Sequence, residues 1–215
     1  MQIDQSRRYR VLNPRESYSF AEFFKFPFEA EDVLSDPDCT LERRKLTLAK
    51  AEVDIEVLNG LRNYLSETLE IANPVTEIAR REFLIAPIVR EVCRQTGARV
   101  SSEYAIRANE WLKGTLDYYI RSAAGFVVIK AKQSDLTHGF VQLAAELIAL
   151  NIRVDSSTSI LYGAVTSGDL WKFAEFHPQE RKVIEDRNVY QVPRDLDDLL
   201  RILVAIVFSI VRTFF

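Results

Sequence analysis

Apolar residues recur at steps of three, four and seven along Leu41, Leu48, Ala51, Ile55, Leu58, Leu65 and Leu69, the spacing of one helical face. Thr40 is a suitable N-cap and Asn73-Pro74 a stop, so the pattern predicts a helix of about 30 residues, some 45 Å long. Such a rod is long for a 215-residue body. It would pack along the domain, cradle a ligand or pair with a second copy, and Gly60 could divide it in two. Ahead of it, Tyr18, Phe20, Phe23, Phe24, Phe26 and Phe28 alternate with charges and with Pro14, Pro27 and Pro37. A short helix over residues 19–25 ends before Pro27, and the phenylalanines are expected to pack onto the body.

After Pro74 the period stays helical through Ile78, Phe83, Leu84, Ile85, Ile88, Val89 and Val92, up to Gly97, a common helix-terminating residue. Alternation then takes over, predicting strands at 100–108, 115–121 and 126–132. A helix follows at 137–151, then strands at 159–166 and 170–176 on either side of Ser167-Gly168. Residues 182–192 read as an edge strand and 195–212 as a final helix. The order predicts an α/β fold, a mixed β-sheet flanked by helices. Residues 1–72 form an N-terminal helical extension including the long helix, and residues 73–215 carry the sheet.

Composition narrows the classes little. With 28 Lys+Arg against 31 Asp+Glu, the net charge is -3, so a generally basic nucleic-acid binder is excluded and any phosphate contact must be local. Cys39 and Cys93 make no disulfide framework, and no Cys/His cluster has zinc-ligand spacing. The apolar run at 202–211 is half the length of about 20 residues that a bilayer requires. It reads as a buried C-terminal helix, with an oligomer contact as the alternative. The expectation is a soluble, cytoplasmic protein with no membrane partner.

The chemistry concentrates between Gly114 and Asp135, in GTLDYYIRSAAGFVVIKAKQSD. Asp117 lies in one predicted strand, while Lys130 and Lys132 share a face of the next. Were the two strands a hairpin, Asp117 would reach that face. These residues resemble the PD-(D/E)XK nuclease superfamily, whose core joins an Asp on one strand to Glu-X-Lys or Asp-X-Lys on the next. Asp117 matches the Asp and Lys132 the Lys. TEIARREFLIAPIV resembles the family's first helix, with Glu77, Arg81, Leu84, Ile85 and Pro87 in place, and Gln142 matches a glutamine of the helix after the Lys.

The resemblance covers about residues 75–176. It implies a restriction-endonuclease-like fold and Mg²⁺- or Mn²⁺-dependent hydrolysis of nucleic-acid phosphodiesters, with DNA put ahead of RNA. By the same resemblance Glu77 and Asp117 would hold metal. Lys132 would act on the base side or stabilise charge, and Gln142 would position water or phosphate. One residue departs from the pattern: Lys130 stands where the family has a Glu or Asp. A divalent ion 4 Å from a unit positive charge is repelled by about 8 kcal/mol at an effective dielectric of 20.

Three explanations stay open. The chain could be a silenced copy serving as a module for nucleic-acid or protein binding and assembly. A carboxylate could have moved to Glu146, which shares a helix face with Gln142 at i,i+4. Or the chain could be no nuclease relative. Glu103 is a weaker candidate acid. Between residues 80 and 113, seven bases and four acids leave a local charge of +3, compatible with phosphate contacts by Arg81, Arg107 and Lys113. His138 and His177 have no partners at metal or triad spacing.

Overall fold

The computed structural model describes residues 11, 16–23, 25, 29–109, 112–122, 125–131, 135–154 and 160–209. In chain order the elements are β1 (Tyr18–Ser19), α1 (Phe20–Phe23), α2 (Ala30–Ser35), β2 (Thr40–Arg44) and α3 (Ile55–Ile71). Next come α4 (Glu77–Arg80), a π-helical turn (Arg81–Ile85), α5 (Ala86–Thr96), β3 (Arg99–Arg107), β4 (Leu112–Ser122), β5 (Gly125–Ala131) and α6 (Leu136–Val154). The chain closes with β6 (Leu161–Thr166), β7 (Leu170–His177), β8 (Lys182–Asp186), β9 (Tyr190–Gln191) and α7 (Leu196–Ser209).

Among the described residues, nine strands form one sheet in the order β1-β4-β5-β6-β7-β8-β2, with β3 also on β4 and β9 on β7. Strands β3, β4 and β5 form an antiparallel meander, and α6 carries the chain across to β6, which runs parallel to β5. The sheet is mixed, as the element order predicts. Helices cover both faces. Phe20, Phe23, Val33 and Leu34 of α1 and α2 pack with α6 on one face. Leu58 and Leu65 of α3, Ile88 and Val92 of α5 and Leu199 to Val207 of α7 fill the other.

The long helix is corrected. Thr40–Arg44 is a strand lying parallel to β8, Thr40 opposite Lys182 and Arg44 opposite Asp186. The helix begins only at Ile55, where Asp54 caps it by accepting from the Glu56 N–H at 2.7 Å. Leu46 and Val53 are buried along the extended run between them, so the earlier apolar positions belong to a strand and a connecting segment, not to one face. Gly60 does not divide α3. Because β2 flanks β8, the strand at 182–186 is also interior to the sheet and not its edge.

From Glu77 to Thr96 the helix passes Pro87 through the π turn. The Ala86 N–H reaches back to the Arg81 carbonyl, so the chain meets proline in a register where its missing N–H leaves less unpaired. Thr76 caps the start, accepting from Ala79 N–H at 3.1 Å, and Gly97 ends α5 in the left-handed region at φ 68°. Ile202 to Val207 of α7 are buried in this chain's own core. No described helix is long and apolar enough to cross a membrane.

Candidate functional site

The antiparallel register of β4 and β5 pairs Tyr118 with Ile129 and Tyr119 with Val128, which sets Asp117 opposite Lys130 at the next step. Strict alternation slips here. Leu116 and Tyr119 both join the core beneath α6, while Tyr118 joins the opposite core. Across the ladder, Glu103 takes φ 50°, and pairing passes from Ser102↔Tyr118 to Tyr104↔Leu116. Left-handed backbone at a non-glycine residue costs on the order of 1 kcal/mol. Glu103 is turned to Arg81, its ion-pair partner.

Asp117 faces Lys130, whose Nζ lies 3.1 Å from Asp117 Oδ1 and 3.2 Å from Glu146 Oε1. Glu146 comes from α6, one turn beyond Gln142, whose Nε2 donates to Glu146 Oε1 at 3.1 Å. Lys130 is 4 % exposed and Glu146 0 %. One ammonium thus joins two buried carboxylates from two layers of the fold. Glu146 Oε2 and Gln142 Oε1 are buried with no hydrogen-bond partner among the described residues, on two side chains already bonded to each other.

Burial dominates the electrostatics. It pushes the Glu146 carboxyl up to about 7, although Lys130 and the Gln142 amide pull the other way. Burial also works against the Lys130 charge, but Glu146 and Asp117 outweigh it and hold the ammonium above its ordinary value. The proton therefore stays on Lys130, and Glu146 is the weak acid of the set. A neutral Glu146 carries a proton, a donor for a pair of side chains with two acceptors that have no hydrogen-bond partner among the described residues.

A divalent cation does not fit this set as it stands. The position equidistant from Asp117 and Glu146 is filled by the Lys130 ammonium, and a metal beside it would meet like charge. Among the described residues, no group of three or more His, Cys, Asp or Glu side chains is placed to hold a metal ion. Glu77 opens α4, half-buried, and gives its carbonyl to the Arg81 N–H. It is not gathered with Asp117 and Glu146. Lys132 lies outside the described residues, as do Phe24, Phe26 and Phe28.

Arg81 stands close to the site. Its guanidinium lies 5.5 Å over the Tyr118 ring, and its carbonyl accepts from Tyr118 Oη at 3.3 Å. Arg107 and Lys113 sit at the far end of the β3–β4 hairpin, directly opposite each other. The other bases of the +3 segment disperse: Arg80 binds Asp169 and the Ser167 carbonyl, and Arg94 binds Glu91. His138 and His177 each meet a carboxylate, Asp135 at 2.6 Å and Glu175 at 2.9 Å.

Comparison of the chain with protein-family models gives no match, and comparison with curated proteins gives none.

Two features escaped the sequence reading. Arg121 lies over the stacked pair Tyr104 and Tyr119, whose centroids are 5.0 Å apart. The hairpin also sets like charge against like charge twice, Arg99 opposite Arg121 and Arg107 opposite Lys113. The signal existed in the spacing, since these residues are symmetric about the turn between β3 and β4. Only the register reveals that they meet.

Proposed function

We propose that this chain is a catalytically silent nuclease-like module that binds nucleic acid without cutting it. The observation that carries this reading is the Lys130 ammonium, bonded to both Asp117 and Glu146 where the nuclease resemblance calls for a metal ion. Of the explanations for Lys130, this favours the silenced copy. Glu146 does reach the candidate site, as the moved-carboxylate idea requires, but its partner there is an ammonium. Hydrolysis by a metal-activated water needs the two carboxylates free for the metal. Here both are bonded to an internal cation.

Nucleic-acid binding is supported by the β3–β4 hairpin. Like charges directly opposite in a ladder destabilise it by some tenths of a kcal/mol each. Arg107 and Lys113, exposed and opposite each other in an acidic chain, suit a phosphate that sits between them.

The test incubates the chain with single- and double-stranded DNA and with RNA, each with Mg²⁺ or Mn²⁺, beside a Lys130→Glu variant. Expected is binding without cleavage by the wild-type chain, and metal-dependent cleavage by the variant. Cleavage by the wild-type chain that EDTA abolishes would refute the silent-module reading. Binding to none of the three would refute the nucleic-acid part.

A further inference from the structure

Helices α3 and α4–α5 form a hairpin joined by five residues, 72–76, so they run antiparallel. Between them lies an open groove of about 660 Å³, whose walls include Val57, Leu61 and Tyr64 of α3 and Pro87 and Arg90 of α5. Gly60 lies on its α3 wall, and a Cβ built there would meet nothing within 4 Å. A mid-helix glycine costs about 1 kcal/mol relative to alanine, and here a larger side chain would project into open space. At the tip of the same hairpin, Ile71 is 87 % exposed and Ile78 67 %, with Val75 between them. One element thus carries an apolar knob and an apolar groove that its own fold leaves uncovered.

We infer that this surface pairs with a second copy of the chain across a two-fold axis near Tyr64. The spacing supports that occupant. Ile71 and Val57 lie seven residues to either side of Tyr64, about 10 Å each way along the helix. Rotation about Tyr64 therefore brings each copy's tip to the other's groove, the self-complementarity that a two-fold interface requires. Charge agrees. Glu67 and Glu70, exposed toward the tip, have no ion-pair partner among the described residues, and neither does Arg90 on the groove wall. The rotation brings the two glutamates of each copy to the end of the other's groove that holds Arg90, where Glu91 is already paired with Arg94; Glu82 lines the same groove.

Sedimentation velocity on the full chain at micromolar concentration tests the pairing. The wild-type chain should sediment as a dimer, and a monomer would overturn the inference. Gly60→Leu, which fills the groove, and Ile78→Asp, which charges the knob, should each give a monomer with an unchanged far-UV circular dichroism spectrum. A dimer that survives both would place the contact elsewhere and overturn this one. Charge reversal separates a specific two-fold from general stickiness. Glu67→Arg with Glu70→Arg, and Arg90→Glu in a separate chain, should each weaken the dimer at least tenfold alone. Mixing the two variants restores both sets of opposite charges and should restore a heterodimer. No recovery on mixing would overturn the proposed axis.

Discussion

Lys130 Nζ lies 3.2 Å from Glu146 Oε1, a buried contact between a strand and the helix packed on it. Asp117 completes the set at 3.1 Å. Taking charges out of water carries a large penalty, and only mutual pairing offsets it. The ammonium is therefore part of the core's integrity as well as the reason the carboxylates are not available to a metal.

Removing that charge should expose both roles at once. Lys130→Met keeps the length of the stem and deletes the ammonium, leaving Asp117 and Glu146 facing each other. The expected loss near pH 8 is about 3–5 kcal/mol, or about 10 °C in melting temperature for a chain of this size. Millimolar Mn²⁺ should recover part of that loss in the variant and leave the wild-type melt unchanged. A variant as stable as the wild type without metal would show that the pair is not the counter-ion set described.

Stability should also depend on pH through Glu146. Its folded-state value of about 7 lies above the ordinary 4.5, so between these pH values the folded chain binds more protons than the unfolded one. Stability from this group is then greatest below about pH 4.5 and falls as pH rises through about 7, by at most about 3 kcal/mol. Glu146→Gln removes the titration. Urea unfolding from pH 5 to 8 should show a smaller decline in the variant, and parallel curves for the two proteins would count against a weakly acidic Glu146.

Much of the architecture was legible because the period of the pattern is a local property. The meander at 99–131, the helix with Gln142 and Glu146 on one face, and the Gly97 stop all follow from alternation, the 3.6-residue repeat and a left-handed glycine. Asp117 and Lys130 were readable as neighbours for the same reason, since a short hairpin fixes their register. What failed depended on distant partners. Residues 40–44 carry no mark of strand identity except the β8 backbone beside them, 142 positions away at Arg43 and Glu185. The ion pair of Arg81 with Glu103 was equally hidden, because it joins a helical turn to a strand 22 positions further along the chain.

Asp54 was the missed signal in the N-terminal region, and its role can be measured. It accepts from the Glu56 N–H where α3 begins, and loss of such a cap costs about 1 kcal/mol. Asp54→Ala should lower the melting temperature by about 2–4 °C. Thr40→Ala, at the position that the pattern suggested as a cap, should leave helical circular dichroism intact. If the Thr40 variant loses helix content and the Asp54 variant does not, the boundary of α3 is misplaced.

Phosphate contacts at the hairpin predict a change in salt dependence. Each phosphate neutralised contributes about -0.9 to the slope of log K against log salt on duplex DNA. Arg107 and Lys113 are exposed and opposite each other at the end of the β3–β4 hairpin, so one backbone can run past both. Arg107→Ala with Lys113→Ala should weaken binding to all sequences alike and reduce the slope by about 2. The same variant should be no less stable than the wild type, because it removes a like-charge pair from the ladder. Fluorescence anisotropy over a series of salt concentrations reads the slope, and thermal melts read the stability. An unchanged slope with weaker binding would mean that these residues shape the hairpin and do not touch the backbone of the nucleic acid.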